Sequence, residues 1–161
     1  MISHKGNYEV NGGPHALTVG KGQKKDKFPL PGGDFFLSVL MNYTIVEAPG
    51  ARGPYKVKST GYFYSLEEGG AKEIITYQWH PTGACKFPHL HLGSSSKLGA
   101  KTLNKLHLPT GRIALEQVLR LAVEELGVQP IKTDWSDILS DAQGLFEQWR
   151  TWHYLPPATP R

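Results

Sequence analysis

The residues of this chain that could do chemistry gather in its middle. Four of its seven histidines and its only cysteine stand there: His80, Cys85, His89, His91 and His107. A neutral imidazole takes up a proton and a protonated one gives it away. Cleavage of RNA through its 2′-hydroxyl needs such a base, such an acid and cations that hold the phosphate. The spacing therefore predicts a metal-independent ribonuclease whose candidate catalytic residues are the four histidines.

The same part of the chain is free of acidic residues. From Ile74 to Leu115 there is no Asp or Glu, whereas lysines and an arginine recur. We predict that Lys86, Lys105 and Arg112 bind phosphate, and that the surrounding cations lower histidine pKa values and keep the base neutral. The formal net charge of +4 and the pI of about 9.1 fit an anionic partner such as RNA.

Two other interpretations stay open. One is a zinc site held by His89, His91 and either His80 or His107, because two histidines two apart on a strand can chelate one ion. The missing carboxylates count against it, although backbone carbonyls can orient a ligand histidine instead. The other is a non-enzymatic module that binds nucleic acid or a protein through a basic sheet face. Cys85 lacks the partners of a nucleophile and is interpreted as a small buried or loop residue.

A pair of strands must turn these histidines to one face. Alternate side chains of a strand share a face, so in the segment 89–92 the two histidines point one way and the two leucines face the core. Residues 72–79 show a second apolar and polar alternation. Residues 80–83, with proline second and glycine fourth, predict a turn between the two.

The expected register completes the cluster. We expect an antiparallel hairpin with His80 opposite His89, which sets Gln78 opposite His91. All four polar side chains then lie on the same face.

The rest of the chain supplies the support for this hairpin. Residues 35–46 predict a strand or a buried helix, with strand favoured by their β-branched and aromatic content, and 55–66 predict another strand. A short strand is expected at 105–108. Apolar spacing predicts helices over 114–126 and 136–152. The fold class is therefore α+β: an antiparallel β-meander of about four to five strands followed by two helices packed on one face.

Composition bounds the domain organisation. Residues 1–33 are rich in glycine and lysine and predict a flexible basic arm with room for one short strand, so 34–161 form a single α+β domain. A single cysteine excludes an internal disulfide and any multi-cysteine zinc site. No apolar signal core or membrane span is visible, and we expect a cytoplasmic protein.

The motif Phe87-Pro88-His89-Leu90-His91, followed by a leucine-patterned helix, resembles the TumE-type toxins of bacterial toxin–antitoxin systems. The resemblance implies a short antiparallel sheet with this motif near its end. It also implies a toxin that acts on RNA and pairs with a small DNA-binding antitoxin. What the resemblance implies about site residues extends only to Pro88, His89 and His91. The segment 105–112 has no counterpart in that family, and Leu90 and Leu92 replace more polar neighbours.

Overall fold

The computed structural model describes residues 2–3, 10–19, 27–50, 53–93, 97–98, 101–102 and 106–150. Within these residues the chain forms strands and then two helices. Their bounds are β1 Ile2–Ser3, β2 His15–Val19, β3 Phe28–Leu30, β4 Phe35–Glu47, β5 Tyr55–Glu68, β6 Lys72–Trp79, β7 His89–Leu92, β8 Lys97–Leu98, β9 Lys101–Thr102, β10 Leu108–Pro109, α1 Leu115–Glu124 and α2 Trp135–Trp149.

The strands form one antiparallel sheet of eight. Seven follow the order β1-β2-β4-β5-β6-β7-β10, β3 pairs alongside β4, and β8 and β9 make a separate two-stranded ladder. The predicted α+β fold, an antiparallel sheet followed by two helices, is confirmed. The sheet has more strands than the four to five expected, because short strands join it at both edges.

Three of these additional strands come from the segment 1–33. Residues 15–19 pair with β4, residues 2–3 pair with residues 15–19, and residues 28–30 pair with the start of β4. Unpaired backbone groups along a long strand make such an edge a template for short segments, whatever their composition. Residues 1, 4–9 and 20–26 lie outside the described part of the chain, so the flexibility expected of this arm stays a prediction.

The two longest strands, β4 and β5, build the core face of the sheet. Leu37 and Val39 on β4 stand opposite Leu66 and Tyr64 on β5, and all four are buried. The run at 35–46 is thus a strand, as its β-branched content favoured. Its side chains alternate between the core and the opposite face, which a helix would not permit.

The first helix closes this core. Val118 and Ala122 of α1 are each 1% exposed and pack against the buried face of the sheet. The Tyr62 hydroxyl accepts a hydrogen bond of 3.2 Å from the backbone N–H of Ile113, which ties the chain entering the helix to β5. Gly127, just after the helix, takes a left-handed conformation with φ of 70°, a common way for a helix to end.

The second helix is attached mainly to the first. Arg120 of α1 donates hydrogen bonds to the hydroxyls of Ser136 (3.2 Å) and Ser140 (3.0 Å), and its guanidinium lies 5.7 Å from the Trp135 ring centre. No residue of α2 is fully buried. Neither helix of the described chain has the length and apolar character needed to cross a membrane.

Candidate functional site

The histidine hairpin exists, but its register is not the expected one. Gln78 pairs with His89 and Thr76 with His91, so the prediction that His80 stands opposite His89 was wrong by two residues. The predicted turn does form, since the N–H of Gly83 donates to the carbonyl of His80 over 2.9 Å. A further loop then separates this turn from β7.

That loop explains the shift. Residues 84–88 continue as loop, and the Trp79 indole N–H donates to the carbonyl of Lys86 over 3.2 Å, which folds the loop back on the end of β6. Because the shift is an even number of residues, every side chain keeps its face. Gln78, His89 and His91 therefore share one face as predicted, while His80 is exposed beyond the end of the strand.

The edge strand β10 brings in the fourth histidine. Leu108 pairs with Leu90 and Pro109 with His89. Continuing this antiparallel register by one residue places His107 opposite His91, on the same face as both histidines of β7. The strand here is later than the expected 105–108: it covers Leu108–Pro109, while residues 106 and 107 precede it and Lys105 lies outside the described part of the chain.

Three imidazole rings meet at this point. The ring centres are 5.0 Å apart for His89 and His91, 4.8 Å for His89 and His107, and 4.5 Å for His91 and His107. None of the three pairs is stacked: two meet edge to face and the third is tilted. This arrangement lets nitrogen atoms of several rings approach a common centre.

The most buried member of the cluster is His89. It is 1% exposed, whereas Leu90 and Leu92 on the opposite face are only half-buried, so the expectation that the leucines mark the core side was too simple. The Phe87 ring lies edge-on to His89 at 5.8 Å, and the other two histidines cover it further. At this edge of the sheet the loop and its neighbours shield the histidine face instead.

Cys85 joins the cluster, although the sequence analysis assigned it no role. Its Sγ lies 3.2 Å from Nδ1 of His89, and the same Nδ1 donates to the carbonyl of Phe87 over 2.7 Å. Suitable donor atoms of Cys85, His89 and His107 all lie within 4.8 Å of one another, a group able to hold a metal ion. In the sequence, the position of Cys85 four residues before His89 was the signal that could have indicated this contact.

Gln78 lies between two of the rings. Its side-chain nitrogen is 2.9 Å from Nε2 of His89 and 2.7 Å from Nε2 of His91. An amide NH₂ carries two hydrogens, so it can donate one to each imidazole when both are neutral at Nε2. For His89 this agrees with Nδ1 carrying the proton that the Phe87 carbonyl accepts.

The pKa of His89 is lowered, mainly by burial. The Phe87 carbonyl opposes this effect, and the neighbouring charges of His91, His107 and His80 lower the pKa further. The direction is the one predicted. The cause differs, because burial and the other histidines, rather than lysines, shift this group.

The three cations predicted to bind phosphate are not brought together among the described residues. Lys86 is exposed on the loop before β7, and Lys105 lies outside the described part of the chain. The Arg112 guanidinium lies over the Trp79 ring at 5.1 Å. Trp79 neighbours Gln78 along β6, so Arg112 is on the face opposite to the histidines.

Comparison with known proteins adds no relative. No family model matches the chain, and neither a curated protein nor a solved structure matches it. The resemblance to TumE-type toxins therefore stays a prediction, and the function has to be argued from the site.

Proposed function

We propose that the protein is metal-dependent and that Cys85, His89 and His107 hold a transition-metal ion, with zinc as the best candidate. The observation that carries the proposal is the convergence of a thiol and two imidazoles within 4.8 Å. Sulfur and nitrogen donors select zinc and similar ions, whereas magnesium and calcium require oxygen ligands.

Ring geometry supports the proposal. Imidazoles bound to one tetrahedral zinc, about 2.0–2.1 Å from each nitrogen, have ring centres roughly 5 Å apart. The ring centres of His89 and His107 are separated by 4.8 Å. Since Nδ1 of His89 donates to the carbonyl of Phe87, Nε2 would bind the ion in place of its hydrogen bond from Gln78. The Phe87 carbonyl would then take the orienting role that a carboxylate often has beside a ligand histidine.

The proposed ligand set is compatible with a catalytic role for the ion. Three protein ligands with a fourth position open to solvent are typical of catalytic zinc, and His107 is exposed. An ion held there would supply Lewis acidity for hydrolysis. His91, whose ring centre is 4.5 Å from that of His107, is placed to hold or deliver a proton beside the substrate.

Cobalt substitution tests this centre. The chelator-treated protein should take up one equivalent of Co²⁺ and develop the thiolate-to-cobalt charge-transfer band that reports a bound cysteine. Cys85→Ser should abolish this band, and His107→Ala should weaken Co²⁺ binding by about tenfold or more, since even the loss of an outer-shell partner costs that much.

His80→Ala is the matched control, because His80 is an exposed histidine of the same cluster region outside the proposed ligand set. It should retain both the band and the affinity. A Cys85→Ser protein that binds Co²⁺ as the unmodified chain does would refute the proposed ligand set.

The metal-independent ribonuclease is the second candidate. Two observations favour it: the paired rings of His91 and His107, and the absence of acidic residues from Ile74 to Leu115. Here His89, His91, His80 and His107 would supply the acid and the base, RNA would be the substrate, and a small DNA-binding antitoxin the partner.

Incubation with mixed RNA, with and without chelator, separates the candidates. Cleavage that persists in chelator and is lost in His91→Ala supports the ribonuclease, and cleavage that needs added zinc supports the metal centre.

A further inference from the structure

A second concave site lies on the opposite side of the sheet. A cavity of about 720 Å³ opens between the helix-bearing face and the two helices, with Val39, Met41 and Tyr64 on the sheet side and Phe146 and Trp149 on α2. This volume lies within the range of small-molecule sites, which are mostly apolar with a few polar groups that orient the ligand. The histidine cluster does not contribute to its wall.

The charged residues of this wall are mostly basic. Arg112, Arg150, Lys56 and Lys58 line the cavity, against Glu116 as the single acid in its lining. The first turn of α1 also borders it, and a helix N-terminus carries a partial positive charge. The apolar wall is therefore combined with an excess of positive charge.

Both arginines lie near the same aromatic ring. Their guanidiniums lie 5.8 Å (Arg112) and 5.9 Å (Arg150) from the ring centre of Phe146. Burial lowers the pKa of Arg112, and the nearby charge of Arg150 lowers it further. Nε of Arg150 is buried and has no hydrogen-bond partner within the described chain. Two positive charges near one aromatic ring repel each other, and the buried Nε–H of Arg150 is available to a ligand. An anion that contacts both guanidiniums would therefore stabilise them.

We propose that this cavity binds a small organic acid with an apolar body and one carboxylate, held by Arg112 and Arg150. Guanidinium forks match carboxylate oxygens, while the aromatic and aliphatic wall receives the hydrocarbon part. A singly charged carboxylate suits the site better than a doubly charged phosphate, because Glu116 repels the second charge. The proposal is independent of the metal centre.

Calorimetric titration of the full chain with decanoate, below its micelle concentration, tests the proposal, with neutral decanol as the matched ligand. Decanoate should bind saturably with a stoichiometry of one and more tightly than decanol. Arg112→Gln and Arg150→Gln should each weaken decanoate binding by about tenfold, the typical cost of one charge-assisted contact, and leave decanol binding unchanged.

Two further variants keep the test decisive. Lys72→Gln, at an exposed lysine paired with Glu68 outside the cavity lining, should bind decanoate as the unmodified chain does. Arg150→Glu should reverse the preference and favour decylamine over decanoate, a gain that a misfolded protein would not show. Absence of saturable decanoate binding, or equal affinity for decanoate and decanol, would overturn the proposal.

Discussion

At the scale of single residues, the cluster depends on groups whose roles differ although their types repeat. His89 is buried and fixed by Phe87 and Gln78, whereas His107 is exposed and His80 lies beyond the strand end. Identical imidazoles thus have different access to solvent. Gln78 and His89 give the clearest single-residue predictions.

Gln78→Ala should destabilise the fold by about 1–3 kcal/mol, because it leaves Nε2 of the buried His89 without its donor. Urea unfolding measures this cost. The control is Gln143→Ala on α2, which removes only an exposed hydrogen bond to Glu147 and should stay within about 0.5 kcal/mol. Equal effects of the two substitutions would contradict the positioning role of Gln78.

The stability of the metal-free protein should fall on mild acidification because of His89. Burial lowers the pKa of His89 in the folded state, so the unfolded chain, whose histidine pKa is about 6.5, binds more protons below that pH. The contribution is complete above about pH 6.5 and is lost as the pH falls toward the folded pKa. The slope from one group cannot exceed about 1.4 kcal/mol per pH unit. Free energies of unfolding measured from about pH 8 to about pH 5 should show this loss of stability.

His89→Gln should flatten this pH dependence. Gln143→Ala, which removes no titratable group and lies on α2, should leave it unchanged. A slope that survives His89→Gln would assign the effect to another group.

At the scale of elements, β7 is held to β6 at its end by a glycine. The N–H of Gly93 donates to the carbonyl of Ile74 over 2.8 Å, and a Cβ at Gly93 would lie only 1.7 Å from the Glu73 carbonyl oxygen. That contact is with backbone, so a strand rather than a flexible side chain would have to move. The histidine-bearing strand therefore depends on a residue that does no chemistry.

Gly93→Ala should lower the free energy of unfolding by about 1–3 kcal/mol, the usual cost of overpacking. Thermal or urea unfolding measures the loss. Gly111→Ala is the matched control, because a Cβ there meets nothing within 4 Å. If both substitutions proved neutral, β6 and β7 would not approach as closely as described.

At the scale of the whole molecule, the sheet and α1 supply the buried core, and α2 packs against them from outside. No residue of α2 is fully buried, and Arg120 provides much of its connection to α1. Segments with few buried apolar contacts open at lower free energy than the core. Phe146 and Trp149 of this helix line the cavity, so part of the cavity wall belongs to the element with the fewest buried residues.

Hydrogen exchange should therefore separate the two helices. Amides of α2 should exchange faster than those of α1 and β5 in the native protein. Arg120→Gln should accelerate exchange in α2 further and leave β5 nearly unchanged. Equal protection of both helices would contradict this division.

The sequence by itself determined the helices, the strands around the site and which of their side chains share a face. Alternation in 72–79 and 89–92 and the leucine spacing of α1 are local signals, and each reports burial on one side of a strand or helix. The turn at 80–83 follows from its proline and glycine. Gln78, His89 and His91 were therefore placed correctly on one face of the sheet, although their register was wrong. A shift of two residues leaves each side chain on the same face of its strand.

Only the tertiary structure decided which residues meet. The register of β6 and β7 depends on a loop closed by the Trp79 indole, and the approach of His107 depends on β10 pairing across a long connection. The place of Cys85 follows from the same loop, and that of Arg112 from the strand faces and the packing of α2. These contacts join residues distant in sequence, and local periodicity carries no information about such distances.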